Sequence, residues 1–172
     1  MKSGILLAGL WAEGETAVTE PEPTRDHTER MLAAMGAKIA VDGNRVTVEM
    51  SELHALDVCV PSDISSAAYF MALGGLKGRT LCKYVGINPT RTGILKAFDL
   101  LGVKYSLLNV RLSGGEETAD ILVEKSDMRA ITLTAEDIPS MIDELPLVAL
   151  LCAFSDGETR ITGAKELRVK ES

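Results

Sequence analysis

One segment occurs three times along the chain, and this repetition limits the possible folds more than any other feature. Each copy is an apolar helix-like run, then Gly-x-Thr opening a β-like run, then a turn and an arginine. The first copy, ILLAGLWAEGETAVTE, carries Gly14 and Thr16 and leads to Thr24-Arg25. The second, SSAAYFMALGGLKGRTLCKYVGI, carries Gly78 and Thr80 and leads to Thr90-Arg91. The third, LPLVALLCAFSDGETRITGA, carries Gly157 and Thr159 and leads to Leu167-Arg168. Glycine and arginine are 11, 13 and 11 residues apart in the three copies, and Arg25–Gly36 and Arg91–Gly102 are both 11 apart. Spacings that recur in this way mark a duplicated structural unit.

Elementary rules give the unit its shape. Gly14, Gly78 and Gly157 fall where a helix ends and the chain reverses, a position that favours positive φ. The Thr/Val/Ile alternation after them, Thr16–Thr19 and Thr159–Thr162, suits half-buried strands. A second helix is predicted from Asp26 or Thr28, and another after Thr90. Their apolar positions, Met31, Leu32 and Met35, then Ile94, Leu95, Phe98 and Leu101, fall at helical spacing. Asp26 with Glu29 resembles a capping box, and Gly36 and Gly102 close the two helices. A hairpin follows: Lys38–Val41, a turn at Asp42-Gly43, and Arg45–Glu49. Its counterpart runs through Lys104–Leu108, a turn near Asn109, Val110–Ser113, a loop at Gly114–Thr118 and Ile121–Val123. Linking strands are expected at Ala55–Val60 and Ala130–Thr134, and a buried helix at Leu145–Phe154. The third unit stops at Ser172 inside its second helix, and Met1 opens directly on a helix. Both ends predict a fragment of a larger repeat protein.

Composition narrows the class. With 46% hydrophobic but only 4% aromatic residues, the core is built from Leu, Val, Ile, Ala and Met. No apolar run approaches the roughly 18–20 residues of a membrane span, and Met1–Leu10 runs into Glu13 and Glu15 without a cleavage site. A net charge of −7 with scattered Lys and Arg argues against a nucleic-acid surface. Cys59, Cys82 and Cys152 are widely spaced among apolar residues, as reduced core thiols are. No metal site is expected, and the compartment indicated is the cytoplasm.

Several positions can carry chemistry, each with a plainer alternative. Asp143 and Glu144 precede the apolar run Leu145–Phe154, where the head of a helix favours an anion; a simple N-cap fits as well. Thr24–Arg30 places hydroxyls and cations at a helix start, a phosphate cradle or a solvated terminus. Asp63-Ile64-Ser65-Ser66 reads as N-cap chemistry, and Arg91 as structural. Lys170-Glu171 pairs a cation with a carboxylate whose pKa it can tune, or forms a solvated pair.

Four stretches taken together are specific. TEPEPTRDHTERML (19–32), VPSDISSAAYFMA (60–72), IDELPLVALLCAFSDGETRI (142–161) and ELRVKES (166–172) closely resemble the EPSP synthase family, the 3-phosphoshikimate 1-carboxyvinyltransferases. KSGILLAGL (2–10) looks like the helix after that family's Ser-Ala-Gln substrate loop. The similarity spans essentially the whole chain. It implies the enolpyruvyl-transferase fold, an inside-out α/β barrel of βαβαββ repeats in two domains, here incomplete. Residues 1–60 are then one repeat unit of the first (upper) domain. Residues 61–172 are about one and a half units of the second (lower) domain.

The resemblance further implies transfer of the enolpyruvyl group of phosphoenolpyruvate to the 5-hydroxyl of shikimate 3-phosphate, with no cofactor. By motif match, Asp143 binds the shikimate hydroxyls and acts as base, while Lys170 binds substrate. Glu171 shuttles a proton at the phosphoenolpyruvate methylene, and Arg25 helps to hold the shikimate phosphate. The family's Lys-Ser-x-x-x-Arg motif has no counterpart in this chain, and the later phosphoenolpyruvate-binding residues are missing. The chain alone is therefore expected to be inactive. Two other readings stand beside this one. One is the sister transferase acting on a UDP-amino sugar, which RDHTERM and DELP disfavour. The other is a non-catalytic repeat fragment, whose open apolar faces predict self-association.

Overall fold

The computed structural model describes residues 1–22 and 24–168. The chain forms two compact units, residues 1–60 with 112–116, and residues 61–111 with 117–172.

In the first unit, helix α1 (Lys2–Gly9) leads to β1 (Glu15–Thr19), α2 (His27–Ala34), β2 (Ile39–Asp42) and β3 (Arg45–Glu49). The strands form an antiparallel sheet in the order β1-β3-β2. Val46 and Val48 alternate inward from the central strand and join Leu6, Leu10 and Leu32 in a small core. The sheet and α1 approach closely because residue 9 is glycine: a Cβ there would lie 2.7 Å from Val48 Cγ1. The hairpin turn is Gly43-Asn44, one residue later than expected, with Asp42 still paired to Arg45. The capping box does not form. Asp26 occupies the N-cap position of α2 without capping it, and its carboxylate accepts from Arg30 Nε at 2.7 Å. Glu29 turns inward to Lys2 Nζ, 2.6 Å away.

The linking strand expected at Ala55–Val60 is absent. Cys59 meets the Ser113 hydroxyl through its N–H and its carbonyl, both at 3.2 Å. A tie to a side chain is not a ladder rung, and the alternating valines lie outside any strand.

The second unit repeats the element order. Helix α3 (Ile64–Lys77) leads to β4 (Arg79–Gly86), α4 (Gly93–Leu101), β5 (Lys104–Ser113) and β6 (Glu116–Glu124). Its sheet has the order β4-β6-β5, with first strand, third and second placed as in β1-β3-β2. The duplicated spacing is thus a duplicated topology. Two short strands follow, β7 (Thr132–Leu133) and β8 (Arg160–Ile161), paired in parallel. Between them lie a 3₁₀ turn at Pro139–Met141 and helix α5 (Leu145–Ala153). The core is Met71 of α3, Ile94, Phe98 and Leu101 of α4, Ile121 of β6, Leu133, Met141 and Leu151.

Two local expectations are corrected here. Asn109 does not turn the chain: β5 runs through it, with Asn109 at φ +50, and the reversal comes at Gly114-Gly115. Gly78 is extended (φ −179), unlike Gly14 and Gly157, so its place does not require positive φ.

Candidate functional site

A polar cluster of the second unit forms where the heads of α3 and α5 meet the loop before α4. Each element arrives for a local reason. Asp63 caps α3, accepting from the Ser66 N–H at 2.9 Å and the Ser66 hydroxyl at 3.0 Å. This is the N-cap chemistry read from the sequence, and it leaves the Ser65 hydroxyl for partners outside α3. Ahead of α4, Asn88 accepts from the Thr90 N–H at 2.8 Å, a tight Asx turn that delivers Arg91. Pro146 lies in the first turn of α5, where its missing N–H costs nothing.

Arg91 is the hub. Its Nη2 donates to Ser65 Oγ at 2.6 Å and to Asp63 Oδ1 at 3.2 Å. The same nitrogen lies 3.9 Å from Asp143 Oδ2 and 4.0 Å from Glu144 Oε1. The Ser65 hydroxyl in turn donates to Glu144 Oε1. One guanidinium thus faces three carboxylates with its own side chain only 16% exposed.

The two adjacent carboxylates have opposite environments. Glu144 is buried, and burial pushes its carboxyl above the usual range against the pull of Ser65 and Arg91. Asp143 keeps its side chain 29% exposed, at the edge of the cluster. It is not the N-cap of α5: Glu144 takes that position, and its side chain does not cap either. At Asp63, burial raises the carboxyl, but the Ser66 N–H and hydroxyl, the Ser65 N–H and Arg91 outweigh it and leave it below the ordinary value.

An open cleft of about 320 Å³ lies beside this cluster, between the head of α3 and β4. Ser62, Asp63 and Ser66 line its polar end, and Phe70, Leu81 and Val85 its apolar end. Among the described residues, no group of three or more His, Cys, Asp or Glu side chains is arranged to hold a metal ion.

Of the residues singled out from the sequence, Asp143 belongs to this cluster. Arg25 belongs to the first unit, exposed in the loop before α2. Lys170 and Glu171 lie outside the described residues. Arg91, read as structural, comes within 3.9 Å of Asp143 and bonds Ser65, read as capping, which in turn bonds Glu144. The repeat held the missed signal, because Thr90-Arg91 occupies the place in its unit that Thr24-Arg25 occupies in the first.

The sequence model of the family described as EPSP synthase (3-phosphoshikimate 1-carboxyvinyltransferase) matches residues 1–172. A 3-phosphoshikimate 1-carboxyvinyltransferase of Desulforudis audaxviator is 51% identical over the whole chain, which covers 41% of that protein. The solved EPSP synthase of Acinetobacter baumannii superposes with a TM-score of 0.94 at 48% identity, over 99% of this chain and 39% of that one. An enolpyruvyl transferase from Streptomyces tendae shares the fold, with a TM-score of 0.66 at 22% identity over 92% of this chain and 38% of that one. The architecture is thus the enolpyruvyl-transferase α/β fold, and the chain spans about two fifths of the length of these relatives. Its sequence and structure place it in one family: the chain belongs to the EPSP synthases.

Proposed function

We propose that this chain supplies part of the active site of a 3-phosphoshikimate 1-carboxyvinyltransferase, with Asp143 as the base toward the 5-hydroxyl of shikimate 3-phosphate. The observation that carries this reading is Asp143 itself. It is a partly exposed carboxylate at the head of an apolar helix, beside a fixed cation, in a chain matched to the family from end to end.

The chemistry assigns each group a task. The 5-hydroxyl oxygen bonds to C2 of phosphoenolpyruvate as its proton passes to Asp143, and C3 gains a proton to become a methyl group. Glu171 handles the C3 proton, delivering it on addition and removing it on elimination. Loss of phosphate then restores the enol ether. Lys170 and Arg25 hold the anionic substrates, Arg25 at the shikimate phosphate. In the same reading, residues 1–60 contribute one repeat to the upper domain and residues 61–172 about one and a half to the lower. The enzyme acts in the cytoplasm on these two small anions, in the pathway to the aromatic amino acids. No role for nucleic acid or membrane belongs to the reading; among the described residues, no helix is long and apolar enough to cross a membrane.

The test is phosphate release from the complete enzyme carrying Asp143→Asn. A fall in kcat of about 10²-fold or more is expected for loss of a general base, with KM for phosphoenolpyruvate little changed. Retention of full kcat would remove Asp143 from the mechanism. The 172-residue chain by itself is expected to release no phosphate from the two substrates. Turnover by it would show that the site is already complete.

A further inference from the structure

Glu144 has no part in the transfer just described, yet it is among the largest fully buried side chains of the chain. A buried carboxylate is costly unless its oxygens are occupied. One hydroxyl bonds it and, at the edge of ion-pair range, one guanidinium faces it. These two are themselves linked, so a relay runs from Arg91 Nη2 to Ser65 Oγ and from the Ser65 hydroxyl to Glu144 Oε1. Because Ser65 gives its single proton to Glu144, its lone pairs remain for Arg91. The acceptor at Glu144 therefore fixes which way Ser65 points, and Ser65 fixes the guanidinium.

The position of that guanidinium matters to Asp143. Full contact between a guanidinium and a carboxylate holds the carboxylate ionised and makes it a poor base. Arg91 stops short of such contact: it bonds Ser65 at 2.6 Å and Asp63 at 3.2 Å, and stays 3.9 Å from Asp143. We propose that Glu144 is a positioning residue that, through Ser65, keeps Arg91 from closing on Asp143 and so preserves Asp143 as a proton acceptor. The proposal rests on the role given to Asp143 above. It adds a device by which three helix heads set the strength of that base. Among the described residues, the charged groups concerned are Arg91 from the loop before α4, Asp63 at the head of α3, which shares Arg91, and Glu144 on Asp143's own segment.

The experiment follows the Asp143 side-chain carboxyl of the chain by carbon-13 NMR as a function of pH, in wild type, Glu144→Gln, Arg91→Gln and the double variant. Glu144→Gln keeps the shape but loosens the relay, so Arg91 closes on Asp143 and its midpoint falls by roughly half a unit or more. Arg91→Gln raises the midpoint, and in that background Glu144→Gln has little further effect. An unchanged midpoint in Glu144→Gln overturns the proposal. An equal fall with and without Arg91 also overturns it, because Glu144 would then act by direct repulsion. If Glu144→Gln does not fold, Arg91→Gln decides alone, and an unshifted Asp143 is fatal to the idea. The readout is a titration rather than turnover, so it stands apart from the phosphate-release test: Asp143 could respond as described and still prove not to be the base.

Discussion

At the scale of single residues, the second unit holds a carboxylate whose contribution to stability can be read directly. Lys96 Nζ donates to Asp137 Oδ1 at 2.5 Å, and the Thr134 N–H donates to Oδ2 at 2.8 Å. The Lys96 ammonium first, then the Thr134 N–H, hold the Asp137 carboxyl below its ordinary 3.8, against burial that raises it. A depressed folded-state value means that the contribution is complete well above pH 4. It is lost as pH falls through the folded-state value. Asp137→Asn should therefore cost about 1.5–3 kcal/mol near neutrality, the range for hydrogen bonds to a charged group. Thermal melts from pH 7 down to acid should show the two proteins converging below about pH 4. A constant gap at every pH would mean that the charge is not what stabilises. Neither Asp137 nor Arg91 could be assigned a partner from the sequence. Their contacts span 41 residues to Lys96 and 26 to Ser65, distances at which no local spacing rule operates. Asp63 was legible because its partner, Ser66, is three residues away on the same helix.

Elements were legible where local chemistry decides them, and less so where a neighbour does. The helices and the first hairpin follow from apolar spacing and turn residues. The second hairpin was misread at Asn109 because an asparagine in the left-handed region resembles a turn. Here a buried carboxylate absorbs the kink. Asp120 on the central strand accepts from Asn109 Nδ2 and the Tyr84 N–H, both at 2.8 Å, and Tyr84 itself has φ +54. Both irregular strands are pinned to one side chain, and the pairing of β4 with β6 shifts register between Cys82 and Val85. Packing between elements makes one glycine indispensable. A Cβ on Gly93, in the first turn of α4, would lie 2.4 Å from Ser140 Oγ and 2.7 Å from Met141 Cβ. The 3₁₀ turn carrying those residues leads directly to Asp143. Gly93→Ala must push that turn aside, at about 1–3 kcal/mol, as overpacking does. Urea titration should show the lower midpoint, whereas an unchanged midpoint would mean that the turn yields freely. Ordinary helix propensity predicts the opposite sign, since alanine favours a helix interior over glycine.

At the scale of the molecule, α3 says most about what the chain is part of. One side of this helix, with Ala68, Met71 and Ala72, lies in the core, and Gly75 is buried with them. The opposite stripe reads Tyr69, Phe70 and Leu73, exposed by 66%, 60% and 54%. A helix apolar on both sides belongs inside a protein, not at its surface. The inside-out arrangement of the family, with helices packed within, accounts for that, and so does a chain that spans two fifths of its relatives. The exposed stripe is also where the notion of a self-associating piece becomes testable. Burying a fully exposed Phe or Leu side chain is worth about 1.5–3 kcal/mol; these are partly covered already and gain a share of that, so the three together favour covering the stripe. Sedimentation velocity over a concentration series should show the isolated chain associating. Phe70→Glu together with Leu73→Glu should abolish that association while leaving the circular dichroism of the fold intact, because neither side chain lies in the core. A wild-type chain that sediments as a monomer throughout would show that this stripe tolerates water. Association that persists in the double variant would move the contact to another exposed apolar group, such as Trp11 after α1 or Phe154 after α5.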